Sequence, residues 1–238
     1  MIFGFFLSSC LVVRVTIGSW QHVLPIILVA STAILLIRAS NRKLNQQKKI
    51  KTFQFLGALV SLTVIVFHIY HILLGNYNLS EDLPLFLCSF LALIMPCFTY
   101  TRRYWMYEIL LFWIIAGTLQ GVITPDISNG FPSLDYFRYW IVHLGLLTII
   151  FYATFVLKMR PKFKSVFKSF FALQIYVIIL MVLNNVLGAN YSYLNSKPES
   201  ASALDYFGEW PYYLLVMEVI LIPFFLLIYW PFYVTRKK

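Results

Sequence analysis

The sequence predicts an all-α membrane protein, a polytopic bundle of seven transmembrane helices with the N-terminus outside and the C-terminus in the cytoplasm. Three observations carry that prediction: the composition, the length of the apolar runs, and a charge split between alternate connections. Apolar residues make up 61% of 238 positions, aromatics 18% and charged residues only 12%, a balance that water does not dissolve as an ordinary globular domain. In lipid every backbone polar group must be satisfied within protein, so only helices or closed barrels span. A hydrocarbon core of roughly 30 Å takes about 20 helical residues. The apolar runs have that length, which selects helices.

Spans are expected at about 20–37, 52–74, 83–100, 105–124, 136–157, 165–188 and 210–234. The connection 38–51 after the first span holds six basic residues, Arg102 and Arg103 follow the third, 158–168 after the fifth holds five, and Arg236, Lys237 and Lys238 close the chain. Together these are sixteen of the nineteen Lys and Arg residues. The alternate connections hold Glu81, Asp82, Asp126, Asp135, Glu199, Asp205 and Glu209, seven of nine carboxylates, against Arg14, Arg138 and Lys197. The positive-inside bias assigns the first set to the cytoplasm. The formal net charge of +10 is thus a topology signal, and no nucleic-acid partner is expected. Residues 1–13 are apolar but have no basic stretch before them and no small-residue cleavage site after them, so they do not read as a cleaved leader. Residues 1–19 are expected as a short apolar segment in or near the outer interface, and 1–238 as a single integral membrane domain without internal repeat or linker.

Three cysteines exclude a disulfide framework. Cys10 falls in the N-terminal segment and Cys97 in the inner half of the third span, where a thiol behaves as a small hydrophobe. Cys88 differs because it follows Glu81-Asp82-Leu83-Pro84. With Pro84 at the first helical position, the thiol lies roughly 7 Å below the outer helix end, where the helix dipole modestly favours thiolate.

Polar residues inside the other spans gather in their outward halves, where each is expensive unless it faces the bundle interior or a wet cavity. Asp135, Tyr139 and His143 share one face of the fifth span, with His143 about 12 Å below Asp135. Gln120 and Thr124 end the fourth span. Gln174, Met181, Asn185 and Gly188 form a stripe on the sixth, with Asn184 beside it. His68 and His71 occupy the outer third of the second span, and Glu218 reaches a similar depth on the seventh. A lone intramembrane Asn, Gln or His is often only an interhelical hydrogen bond of about 0.6–2 kcal/mol, and Glu218 is equally suited to pairing with a His or Tyr. Glu108 is expected to pair with Arg102 or Arg103. His68 and His71 lack a third ligand by spacing, so no metal is expected, and no other cofactor.

The runs Leu83-Pro84-Leu85-Phe86-Leu87-Cys88, Gln120-Gly121-Val122-Ile123-Thr124-Pro125, Tyr139-Trp140-Ile141-Val142-His143, Asn185 with Gly188-Ala189-Asn190-Tyr191-Ser192-Tyr193-Leu194 and Lys197-Pro198, and Trp210-Pro211-Tyr212-Tyr213 follow one another in a telling order. From Leu83 onward the chain resembles the YwaF-like bacterial integral membrane proteins. These are relatives of the transmembrane protein 164 family, regarded as cysteine-dependent glycerophospholipid acyltransferases. The resemblance implies that Cys88 is the acyl-accepting cysteine, that His143 is its histidine partner, and that the protein is a multi-pass protein of a bacterial plasma membrane. The chain departs from the pattern at Phe86, where relatives often carry His.

In chemical terms, a buried thiol and an imidazole at overlapping depth suit two-step acyl transfer: His143 as general base, Cys88 as nucleophile, and a thioester between the half-reactions. Gln120 or Asn185 would orient the imidazole or donate to an oxyanion. Tyr139, Asn190 and Glu218 are further candidates for binding or orienting substrate, and Lys197 and Arg138 for holding a phosphate. The expected activity is an outer-leaflet phospholipid acyltransferase or lipid acyl hydrolase. Its partners are membrane phospholipids, with no obligate protein partner. The alternative is a transporter or small-molecule or lipid-binding protein whose polar residues line an outward-facing cavity without covalent chemistry. A light receptor is excluded because the seventh span has no Lys for a Schiff base.

Overall fold

A computed structural model describes residues 14–75, 77–198 and 202–235. The N-terminal segment as far as Val13, with Cys10, lies outside the described residues, as do Glu199, Arg236, Lys237 and Lys238. The described residues form seven principal helices and no strand: α1 (Trp20–Lys43), α2 (Gln46–Leu73), α3 (Leu87–Thr101), α4 (Tyr104–Ile123), α5 (Leu134–Phe155), α6 (Phe163–Leu187) and α7 (Tyr212–Val234). Six of them are long and apolar enough to cross a bilayer, and the chain is a multi-pass membrane protein. The seventh, α3, has only 15 residues, about 22 Å at 1.5 Å per residue.

Polar contacts fix the two ends of the bundle. At the basic end, the Tyr152 hydroxyl of α5 reaches Ser40 Oγ and the Lys49 carbonyl, and Tyr107 of α4 donates to the Met159 carbonyl. Arg160 lies over the Phe232 ring of α7. At the carboxylate-rich end, the start of α1 meets the end of α4 through His22, and Tyr136 of α5 donates to the Gln21 carbonyl. Consecutive helices therefore run in alternate directions. The centre is α5, in which 72% of the most apolar stretch is buried, against 6% for α1. The wide apolar faces of α1, α6 and α7 are left for lipid.

Several boundaries differ from the sequence expectation. Helix α2 begins at Gln46, so Lys48, Lys49 and Lys51 stand on its first turns and the connection shrinks to Leu44 and Asn45, with Asn45 accepting from Lys48 N–H as a cap. Helix α3 begins at Leu87, not near Pro84. Segment 79–86 stays irregular because phenols satisfy its backbone: Tyr191 donates to Leu79 O and accepts from Leu83 N–H, and Tyr176 donates to Leu85 O. Glu108 does not pair with Arg102 or Arg103. It accepts from Ser165 Oγ at 2.7 Å and Lys168 Nζ at 2.6 Å, because α4 and α6 lie side by side.

Candidate functional site

The late start of α3 puts Cys88 at the second helical position, with Phe86 as the capping residue in extended conformation. Among the described residues no side chain caps this end. Phe90 N–H bonds to the Phe86 carbonyl, but Leu87, Cys88 and Ser89 N–H have no acceptor among the described residues. The thiol is thus beside three free amide donors and the positive end of the helix dipole, closer than a helix from Pro84 would have set it.

Helix α4 supplies the opposite wall. Its turn Ile114–Thr118 is π-helical, which adds a residue and opens the backbone ladder. On this turn Gly117 receives the Leu87 side chain, which would stand 2.6 Å from a Cβ, and Thr118 Oγ1 lies 3.7 Å from Cys88 Sγ. One turn on, a Cβ on Gly121 would stand 2.7 Å from both Cδ2 and Nε2 of His143. Thiol and imidazole therefore pack against one strip of α4, Thr118 facing the first and Gly121 the second. Only a side chain as small as hydrogen at residue 121 admits the ring.

His143 is buried and oriented from within α5. Its Nδ1 is 2.8 Å from the Tyr139 carbonyl, which can only accept, so Nδ1 carries the proton and Nε2 keeps its lone pair. The Tyr139 ring stacks on the imidazole at 3.9 Å with 19° between planes, and its hydroxyl donates to Gly121 O at 2.7 Å. Tyr139 thus ties the ring to the same turn of α4. Among the described residues Nε2 has no hydrogen-bond partner.

A cover lies above this pair. Asn184 is fully buried, its amide donating to Tyr191 O and accepting from Tyr191 N–H, so the α6–α7 loop folds back over the bundle after Gly188, which takes the left-handed conformation at φ 61°. Tyr193 donates to Asp126, and Asp126 is salt-bridged to Arg14 at 2.8 Å. Burial and the Asp126 carboxylate push the Tyr193 phenol well above its ordinary range, which keeps the hydroxyl a donor. Phe86 packs between Tyr191 and Tyr193 with centroids at 5.4 and 5.6 Å. A cleft of about 260 Å³, lined by Glu81, Phe86, Asn190 and Tyr193 among others, opens above it.

The remaining sequence candidates stand elsewhere. Gln120 is exposed and bonds to Thr124, four residues on, so it does not reach the imidazole. Asn185 is exposed, and the structural amide of α6 is its neighbour Asn184. Asn190 pins its own loop through Ser196 and Asn195. Lys197 pairs with Glu209 at 2.9 Å, and Glu218 accepts from Gln174 at 2.8 Å across α6 and α7. Arg138 pairs with Asp135. Sequence reasoning missed Thr118 and Gly121, which carry no chemical signal of their own. It also missed His22, whose Nε2–H donates to Val122 O while Nδ1 accepts from Gly18 N–H. Among the described residues no three His, Cys, Asp or Glu side chains gather as a metal site. No curated protein and no solved structure matches the chain. The model of the TMEM164 family does match, over residues 17–229, and assigns no bacterial branch; the chain belongs to the TMEM164 family.

Proposed function

We propose that the protein is a membrane-embedded, cysteine-dependent glycerophospholipid acyltransferase or acyl hydrolase, working in the leaflet next to its carboxylate-rich end. The positive-inside bias makes that leaflet the outer one. The observation that carries this is the shared strip of α4, with Cys88 against Thr118 and the lone-pair nitrogen of His143 against Gly121. A shift of the covering side chains, Phe86 foremost, brings an ester carbonyl to the sulfur.

The chemistry follows from the parts. His143 Nε2 takes the thiol proton, and the sulfur attacks the acyl carbonyl. The negative oxygen that forms is met by the free N–H groups of Cys88 and Ser89 at the start of α3, an arrangement worth several kcal/mol where water is excluded. The ester C–O bond breaks, the leaving oxygen takes the proton from His143, and a thioester remains on Cys88. An alcohol or water oxygen then attacks the thioester, the C–S bond breaks, and the acceptor's proton ends on sulfur. Phe86 does not substitute for the His of relatives in proton transfer, so His143 serves the first half-reaction by itself.

Purified protein mixed with phospholipid vesicles should gain an acyl mass adduct. The adduct should disappear in Cys88→Ala and persist in Cys97→Ala, since Cys97 is exposed on the outside of α3. An adduct that survives the loss of Cys88, or none in the unaltered protein, overturns the proposal. Solute uptake that survives Cys88→Ala points instead to transport.

A further inference from the structure

A second polar cluster lies at the carboxylate-rich end, between α2, α5 and the turn at 77–82, and the first half-reaction does not use it. The Tyr77 hydroxyl donates to the Asp82 carbonyl at 3.0 Å, which commits its only proton. His68 Nδ1, 3.2 Å from the same phenol oxygen, is therefore the donor in that contact, and neutral His68 keeps its lone pair on Nε2. That Nε2 is shielded, and among the described residues it has no hydrogen-bond partner. A shielded acceptor without a donor is costly, so the position suits an incoming O–H or N–H.

Beside it the Arg138 guanidinium lies 4.4 Å from the centroid of the Phe67 ring, and that ring stands 5.6 Å from the His68 imidazole. Arg138 gives Nε and Nη2 to Asp135 and leaves Nη1 uncommitted among the described residues. A lone-pair acceptor and a cationic donor that both border one aromatic ring are complementary to a ligand that carries a hydroxyl a few bonds from an anionic group.

The cluster is level with the thiol. Gly57 of α2 meets the Thr99 side chain of the antiparallel α3. His68 is eleven residues on from Gly57 and Cys88 eleven back from Thr99, so the two stand at one height to within about a turn. His68 also continues the buried face of α2 set by Gly57, Val60 and Val64.

We propose that His68 and Arg138 form the acyl-acceptor site, taking an alcohol whose free hydroxyl neighbours a phosphate; this rests on the thioester chemistry proposed above. His68 accepts the hydroxyl's hydrogen bond and Arg138 holds the phosphate. The hydroxyl oxygen bonds to the thioester carbonyl carbon, its proton passes to His68 Nε2, the C–S bond breaks, and the proton moves from the imidazole to the departing sulfur. A lysophospholipid and a soluble glycerol phosphate offer the same chemistry.

The test gives purified protein phosphatidylglycerol vesicles together with labelled lysophosphatidylglycerol or labelled glycerol 3-phosphate. It reads the Cys88 adduct by intact mass and the labelled acylated product. In His68→Ala the ratio of product to adduct should fall at least tenfold, with free fatty acid rising as water replaces the bound alcohol. His68→Gln, whose amide oxygen stands near Nε2, should recover part of the ratio with a raised KM for the acceptor. Arg138→Gln should raise that KM at least tenfold for the phosphate-bearing acceptor but not for a neutral monoacylglycerol. Saturation by the lysolipid alone identifies a membrane source, and saturation by glycerol 3-phosphate a soluble one; either supports the site. A normal adduct with an unchanged product ratio in both His68 variants overturns the acceptor site and leaves the thiol chemistry standing. No adduct in the unaltered protein overturns the thiol chemistry and the acceptor site with it.

Discussion

The two ends of the bundle use the same kinds of side chain to opposite effect. At the basic end, polar groups answer one another: Glu108 with Ser165 and Lys168, Tyr107 with Met159 O, Tyr152 with Ser40 and Lys49 O. At the carboxylate-rich end, comparable groups are left short of partners. Among the described residues His143 Nε2 and His68 Nε2 lack donors, the N–H groups of Leu87, Cys88 and Ser89 lack acceptors, and the one polar side-chain contact of Cys88 is a threonine hydroxyl at 3.7 Å. A satisfied buried network stabilises and specifies a fold, whereas unmade hydrogen bonds cost stability and remain free to hold a substrate. The first end reads as scaffold and the second as site.

That contrast is open to attack by mutation, most sharply at Gly121. Gly121→Val sets a branched side chain where the imidazole lies, so adduct formation should fall at least a hundredfold, while overpacking costs about 1–3 kcal/mol in a detergent unfolding assay. Wild-type adduct rates in that variant would break the link between His143 and the strip on α4. At the basic end, Lys168→Met leaves the buried Glu108 carboxylate with Ser165 alone. Because the Lys168 side chain is half exposed, it should cost only about 1–2 kcal/mol of stability, partly recovered by adding Glu108→Gln, with adduct formation per folded molecule unchanged.

A matched pair of phenols sharpens the comparison. Tyr107→Phe and Tyr139→Phe each remove a hydroxyl from a backbone carbonyl, and each should cost about 1 kcal/mol. Only Tyr139→Phe should also slow adduct formation, by about tenfold, because its hydroxyl ties the stacked imidazole to Gly121 O. Equal kinetics in the two variants would erase the distinction between the ends. The smallest effect is expected for Thr118→Val, which removes the hydroxyl beside the sulfur at nearly constant volume and should change the adduct rate by a few-fold at most.

Composition and charge spacing made the seven helices legible, because lipid leaves a backbone few choices and alternate basic connections mark the crossings. Cys88 and His143 were legible as residue types in the halves of their spans nearer the carboxylate-rich connections. The boundary of α3 was not, since Pro84 is a good first helical residue and only the distant phenols of Tyr176 and Tyr191 hold 79–86 out of the helix. Nor was the choice of Asn184 over Asn185, which depends on where the loop after Gly188 folds back. The partners of Glu108, Lys197 and Glu218 likewise depend on which helices are neighbours.

By itself, then, the sequence determined the solvent of this protein, the number of its helices and a short roster of reactive side chains, all of which follow from local hydropathy and charge. Only the tertiary structure decided which of those side chains meet. The π-helical turn of α4, the close approaches at Gly117 and Gly121 and the shared height of His68 and Cys88 arise from packing between residues far apart in the chain, and packing of that kind leaves no mark on any one segment.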